Sequence, residues 1–479
     1  MKIHIVSNPL NINSGFSIVA RNLGIELMRL VDKNGNRIYD VSCTGLQQAH
    51  NPETYFGIES YPVLGTGLDE ISQLIMNIKD IEPDIIWNLF QSDSGDFGSH
   101  AMVFDSVNRL NELSGGRKDG EGKGEGKIKK IKSFWYTPVE SMGLSGIAKR
   151  DLLNFIGAGG NVVSQCKWGQ NEMKKEGIEA EMIYHGVDSG IFKQMDEKEI
   201  RKIYNIANGA ISNDCRILKW IIDSDNIKEN KTGRWNEDTI FADKLFDIHK
   251  GKFVFLVVAA NIGVRKRLER AMKAYAIFLR GKNKDGGSRQ LIDRTLLHIH
   301  TQPFNPEGIK VLKIAEKLGI EKNIIFSYGR WKKGWTDVEM SILYNSSGCH
   351  LSGSSGEGFG IGTLESMACG IPTIGPRNTS FIELVEEEVK CQSITAGLDT
   401  VTRTIGPRGL LVGGEYQYII DGSERFLVNE EELANAMMYM YSYFKDLRGY
   451  DNYRMNCLKF SKRYTWDKIC LEWDKLFRE

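Results

Sequence analysis

Short apolar runs alternate with amphipathic stretches along most of the chain. Residues 1–7 form the first run. After the polar segment 11–15, Val19, Leu23 and Leu27 recur every fourth residue. That order predicts strand, loop, helix. The alternation returns in DIIWNLF (84–90), KSFWYTP (132–138), GNVVSQ (160–165) and EMIYHGVD (181–188). It starts afresh with KFVFLVVAAN (252–261) and a helical stretch over 268–279. LLHIHTQ (296–302), NIIFSYG (323–329), GCHLSGS (348–354) and IPTIG (371–375) follow. Strands this apolar need cover on both faces, so the pattern predicts an α/β fold with two doubly wound parallel sheets.

Three segments interrupt it. Residues 115–130 are glycine and charge with almost no apolar content, which predicts a mobile loop. Residues 206–250 are polar enough for a linker or insertion between the halves. Residues 413–426 suggest a small hairpin, after which helical periodicity resumes at Glu430 and runs toward the end.

A chain of 479 residues exceeds one ordinary core, in keeping with two domains. Its 62 basic and 62 acidic side chains cancel, so no global field draws it to nucleic acid or anionic lipid. The segment 115–132 is a local exception, with seven basic and three acidic side chains. Eight cysteines without a CxxC pair read as reduced thiols, and the first residues lack an apolar signal segment, so a cytoplasmic location is expected. No run approaches the roughly 20 apolar residues of a spanning helix. Membrane contact would be peripheral.

Candidate chemistry concentrates in GSSGEGFGIGTLESMACGIPTIG (353–375), where Glu357 precedes a glycine-rich turn and Glu365 lies within the helix expected from Ile361. In open parallel sheets, ligands sit beyond the carboxyl ends of the strands, where helix N-termini offer N–H groups to anions. Glycines 356, 358, 360 and 362 let a phosphate approach the backbone. Carboxylates on both sides of an anion site suit hydroxylated groups flanking a diphosphate, the chemistry of a nucleotide sugar. Spacing alone fits equally well a solvated loop carboxylate and a helix-surface one. His298 and His300 share a strand face, but no carboxylate or cysteine cluster accompanies them, so a metal site is not expected.

The phrase EGFGIGTLESMACGIPTI (357–374) resembles the ExxxxxxxE signature of the retaining GT-B glycosyltransferases of family four, whose usual form is close to EGFGLxxxEAMAxGxPVI. IYHGVDSGIF (183–192), VVAANIGVRKRLERAMKAY (257–275), IIFSYG, ILYNSSGCHLSGS and SKRYTWDKICLEW are similar to other family segments and stand in the same order. The resemblance implies two Rossmann-like domains facing across a cleft. Residues 1–205 would be the acceptor domain, 206–250 a linker or insertion, 251–452 the donor domain, and 453–479 a helix packing back on the first domain.

It also implies site residues. Lys266 matches the lysine that neutralises the leaving diphosphate, and Arg265 is the candidate for its accompanying arginine. "RKR" at 265–267 also reads as a solvated helix start, although cations there oppose the helix dipole unless an anion is bound. Glu357 would orient the sugar, with Lys266 and Arg265 beside it as the catalytic set. Gly358, Phe359, Gly360, Ile361, Gly362 and Glu365 would bind the donor, joined by Gly15 from the other domain and Arg330 near the base. Many relatives carry a histidine where this chain reads FWYTPVES, leaving Tyr136, Thr137 and Glu140 as the acceptor-side polar groups.

The resulting expectation is a retaining transfer of a sugar from a nucleoside-diphosphate sugar to a glycan, lipid-linked or protein acceptor, with no metal and no further cofactor. A binding or scaffolding protein without turnover, or a transferase acting on a nucleic-acid base, are the competing classes. The neutral overall charge makes nucleic acid the weaker partner.

Overall fold

The computed structural model describes residues 1–12, 14–46, 53–63, 68–90, 131–206, 215–222, 233–240, 244–281, 288–329, 334–386, 394–396, 399–401, 404–419 and 421–479. The chain forms two units. Unit 1 comprises Met1–Gly186, Tyr418–Glu424 and Trp466–Glu479, and unit 2 comprises Val187–Gln417 and Arg425–Thr465.

Unit 1 is built on strands β1 (Lys2–Ser7), β2 (Asp40–Gly45), β3 (Glu53–Tyr55), β4 (Ile58–Pro62), β5 (Ile85–Leu89), β6 (Lys132–Thr137), β7 (Asn161–Ser164) and β8 (Glu181–Met182). Their order is β3-β4-β2-β1-β5-β6-β7-β8, and all neighbours run parallel except the β3–β4 pair. The helix Gly15–Arg29 follows β1 and buries Val19, Leu23 and Leu27, the residues whose spacing predicts it. The last helix, Trp466–Arg478, belongs to this unit and closes an aromatic cluster. Trp473 is fully buried, with its ring 4.4 Å from Trp87, 5.0 Å from Tyr136 and 5.3 Å from Phe477.

In unit 2 the strands are β9 (Cys215–Ile222), β10 (Gly233–Ile240), β11 (Phe253–Val258), β12 (Thr295–His300), β13 (Ile324–Tyr328), β14 (Cys349–Leu351), β15 (Thr373–Pro376), β16 (Ile394–Ala396), β17 (Asp399–Val401), β18 (Thr404–Gly406) and β19 (Gly409–Val412). Nine of them form one sheet in the order β10-β9-β13-β12-β11-β14-β15-β19-β18. The run from β13 to β19 is parallel, and β10, β9 and β18 extend it antiparallel. β16 pairs with β17, and β20 (Gly414–Tyr418) with β21 (Glu424–Val428), as the hairpin pattern predicts. One core of Phe253, Phe255, Tyr275, Phe278, Phe326, Met437 and their neighbours fills the space between this sheet and its helices.

The domain boundaries differ from the sequence reading. The first crossover falls at Gly186–Val187 and not near residue 205, because Val187 pairs with Thr465 inside unit 2. The return falls at Thr465–Trp466 and not at residue 453, since Tyr453, Cys457 and Phe460 of the helix Leu447–Ser461 are buried in unit 2. Of the two readings of 206–250, linker or insertion, the described part does not fit a linker, because it adds an antiparallel edge pair to the unit 2 sheet. β9 and β10 lie at the sheet edge, where Cys215, Ile217 and Leu218 are buried and Trp235 stacks edge-on against Phe326 and Trp220. The predicted loop 115–130 lies outside the described residues.

Helix Asp337–Asn345 starts at a capping box. Thr336 Oγ1 accepts the Glu339 N–H, and the Glu339 carboxylate accepts the Thr336 N–H at 2.7 Å. Thr336→Ala is expected to cost about 1 kcal/mol and to lower the Tm by about 2–4 °C, measurable by calorimetry.

Candidate functional site

The turn after β11 and the loop after β14 lie together at the carboxyl end of the unit 2 sheet. β11 and β14 are adjacent parallel strands, so the chain leaves both toward the same edge. From the first comes a tight turn closed by the Arg267 N–H on Val264 O, ahead of the helix Leu268–Arg280. From the second comes the loop Gly353 to Gly360, ahead of the helix Ile361–Ala368.

Glu357 is where they meet. Lys266 Nζ donates to both of its carboxylate oxygens, at 2.6 and 2.7 Å, and Arg265 Nη1 reaches Oε2 at 3.2 Å and Gly356 O at 2.8 Å. The backbones are tied as well, with the Ser355 N–H on Arg265 O at 2.8 Å. Burial alone would raise the Glu357 carboxyl, but the Lys266 and Arg265 cations outweigh it and hold it at about 2. The three residues assigned to catalysis from sequence therefore form one charge cluster.

The glycine-rich turn ends at Gly360, whose φ of 90° and ψ of 60° lie in the left-handed region open to glycine. Having no side chain, Gly360 cannot cap the helix, and the first turn of Ile361–Ala368 carries no acidic residue. Such a helix start presents N–H groups and the positive end of its dipole outward. At Gly362 a Cβ would stand 3.0 Å from Tyr344 Oη, so the glycine also admits that phenol. Glu365 is 8% exposed, and its Oε2 accepts the Tyr344 hydroxyl at 3.0 Å. Burial, and then the Glu365 charge, push the Tyr344 phenol well above its ordinary range. Glu365 thus enters the site with one oxygen engaged by Tyr344, a partner invisible in the spacing.

Of the other assigned residues, Gly15, Tyr136, Thr137 and Glu140 belong to unit 1. Gly15 is exposed in unit 1 as the first residue of its helix, with Ser14 capping through the Ser17 N–H. Tyr136, expected on an acceptor wall, is instead a core residue. It is fully buried, and its hydroxyl bonds Ile183 O at 2.7 Å and His185 Nδ1 at 2.9 Å. Thr137 and Glu140 are also buried, and the Thr137 hydroxyl has no hydrogen-bond partner among the described residues. Arg330 lies outside the described residues.

His298 and His300 are part of an interior chain. His249 Nε2 meets His298 Nδ1 at 2.9 Å, and Ser327 Oγ lies 2.7 Å from His298 Nε2 and 2.9 Å from His300 Nδ1. Burial lowers His249 and His300 to about 4 and His298 further, so all three are neutral at physiological pH. Among the described residues no group of three or more His, Cys, Asp or Glu side chains is placed to hold a metal. Sequence reasoning missed His350, an imidazole that burial lowers to about 4, with the Glu357 charge opposing and the Lys266 charge adding to the shift. It also missed the turn at Asn378, Thr379 and Ser380.

Residues 243–398, which span the whole charge cluster, match the family model described as "Glycosyl transferases group 1". The matched stretch lies within unit 2. Part of the chain is 29% identical over 132 residues to the serotype-specific mannosyltransferase WbdA of Escherichia coli, a match covering 27% of this chain and 14% of WbdA. Among solved structures, the whole chain superposes on HepE of Anabaena in complex with UDP and glucose, at a TM-score of 0.60 and 12% identity, covering 100% of this chain and 99% of HepE. It superposes equally on sucrose-phosphate synthase from Thermosynechococcus elongatus, at a TM-score of 0.61 and 13% identity, covering 100% and 98%. These likenesses show the fold, two Rossmann-like α/β units as in GT-B proteins. Among the described residues no helix is long and apolar enough to cross a membrane.

Proposed function

We propose that the chain transfers a hexosyl group from a nucleoside-diphosphate sugar to an acceptor hydroxyl, with retention at the anomeric carbon. The observation that carries this reading is the convergence of Lys266 and Arg265 on Glu357 beside the open N-terminus of Ile361–Ala368. An anion entering there meets two cations and a helix dipole, while the Glu357 and Glu365 carboxylates accept from sugar hydroxyls. In the reaction, the bond between the anomeric carbon and the diphosphate oxygen breaks, and its electron pair stays on the diphosphate. Lys266, Arg265 and the helix N–H groups stabilise that charge as it develops. The acceptor oxygen bonds to the same face, and its proton passes to the departing phosphate. Glu357 orients the sugar, and no resident metal or further cofactor is part of the proposal. The acceptor is a glycan, a lipid-linked saccharide or a protein.

The test is a thermal-shift and hydrolysis screen against UDP-, GDP- and ADP-sugars, with Glu365→Ala as control. Stabilisation by one donor, lost in the variant, is expected, and NMR of the product gives the anomeric configuration. The absence of both a shift and hydrolysis with every one of these donors would count against the reading.

A further inference from the structure

Four non-glycine residues among those described have positive φ: Phe56, Glu82, Arg267 and Thr379. Two of them, Arg267 and Thr379, lie in turns that hydrogen-bond the segment 354–357. Thr379 combines φ 46° with ψ −144°, a conformation that a β-branched residue enters only at a cost of about 1–3 kcal/mol. Such strain persists where the surroundings over-determine it. Here Thr379 Oγ1 accepts the Glu357 N–H at 3.1 Å, Ser380 Oγ donates to Glu357 O at 3.1 Å, and Asn378 Nδ2 donates to Ser355 O at 2.8 Å. The far end of the following helix, Ser380–Val385, is fixed by buried Arg408. Its guanidinium donates to Leu384 O at 2.5 Å and Glu386 O at 2.8 Å and lies 3.9 Å from the centre of the Phe460 ring. On the other turn, Arg267 Nε donates to Ser355 Oγ at 3.1 Å. The Glu357 backbone is thus gripped between the turn that bears the cations and the turn that bears Thr379.

A glycine at 379 would be free of this strain but could not accept the Glu357 N–H. We propose that Thr379 is a positioning residue for the donor site: its hydroxyl fixes the Glu357 backbone and so sets the carboxylate against Lys266. The inference rests on the donor-site reading above for its consequence in turnover, while the positioning itself is measurable without turnover.

Thr379→Gly, Thr379→Val and Thr379→Ser are compared by thermal denaturation, by donor hydrolysis, and by ¹³C NMR titration of glutamate-labelled protein, with Glu357 assigned from its absence in Glu357→Gln. Thr379→Gly relieves strain and is expected to keep or raise the Tm. Its Glu357 carboxyl nevertheless titrates about one unit higher, a tenfold change in the balance of protonation states. Its kcat falls about tenfold or more, with KM little changed, because small misplacements of charged groups are costly at a reacting centre. Thr379→Val behaves alike in titration and kcat, and Thr379→Ser restores both. A purely structural role predicts the reverse coupling, with activity following Tm. Glycine and valine variants that titrate and turn over as wild type would overturn the inference, as would a serine variant no better than the valine one. A wild-type chain inert toward every donor sugar would defeat the donor-site reading instead, with the titration still deciding the role of Thr379.

Discussion

Glu357→Ala is expected to lower transfer by about 10²–10³-fold, the range seen when one preorganised electrostatic group is removed from a reacting centre. The same variant is expected to bind the nucleoside diphosphate product as tightly as wild type, or more tightly. The two effects diverge because Glu357 has two neighbours of opposite demand. Its carboxylate neutralises Lys266 and Arg265 at 2.6 and 3.2 Å, so its removal leaves more positive charge for a diphosphate. In the proposed reaction the carboxylate also orients the sugar, and alanine cannot do that. Calorimetric binding of the diphosphate alongside initial rates of donor turnover separates the possibilities. A merely misfolded variant loses both binding and rate. Near-normal turnover in Glu357→Ala would remove Glu357 from the site. Glu357→Gln refines the result, since it keeps the side-chain shape and loses the charge.

The elements that carry this cluster were legible in the sequence because their determinants are local, whereas the grouping of Lys266, Arg265 and Glu357 was implied by the family resemblance. The apolar runs predict the parallel strands of both units, and the helix expected over 268–279 is observed at Leu268–Arg280. The glycine-rich phrase places a helix start at Ile361, where it is found. The less legible parts depend on contacts between distant segments. The segment 206–250 reads as a linker or insertion because polar residues dominate it as a whole, although β9 itself is mostly apolar and β10 is mostly polar. At a sheet edge such residues pair with each other, as Arg216 does with Glu237 at 2.6 Å, and only one face needs to be apolar. Tyr136 offered a hydroxyl near a proline turn, and nothing local showed that Ile183 and His185 would enclose it. Thr379 is harder still. A threonine signals β structure or a cap, and its positive-φ conformation follows from what grips the turn, not from its own preference.

Lys266→Ala should weaken diphosphate binding and turnover together, in contrast to Glu357→Ala, and should also invert the pH dependence of stability at this site. In the wild type the Glu357 carboxyl is depressed from an ordinary 4.5 to about 2. A depressed carboxyl contributes stability that is complete above its unfolded pKa and fades as pH falls toward the folded one. The ion pair is therefore fully effective at neutral pH and fades as pH falls from 4.5 toward about 2. Without Lys266, burial is opposed chiefly by Arg265, and the carboxyl moves upward. Once it passes its unfolded value, Glu357 costs stability at neutral pH and recovers it on protonation. With both partners mostly buried, removing one is expected to cost about 1–3 kcal/mol near neutral pH, below the range for fully buried pairs because some water reaches this one. The Tm gap between Lys266→Ala and wild type should narrow as pH is lowered from about 7.5 to about 5. The double variant Lys266→Ala/Glu357→Ala should recover part of the neutral-pH loss, since it strands no charge. Thermal denaturation across that pH range, with diphosphate titration at its upper end, tests both claims. Wild-type affinity in Lys266→Ala would show that the diphosphate does not bind where Lys266 and Arg265 converge.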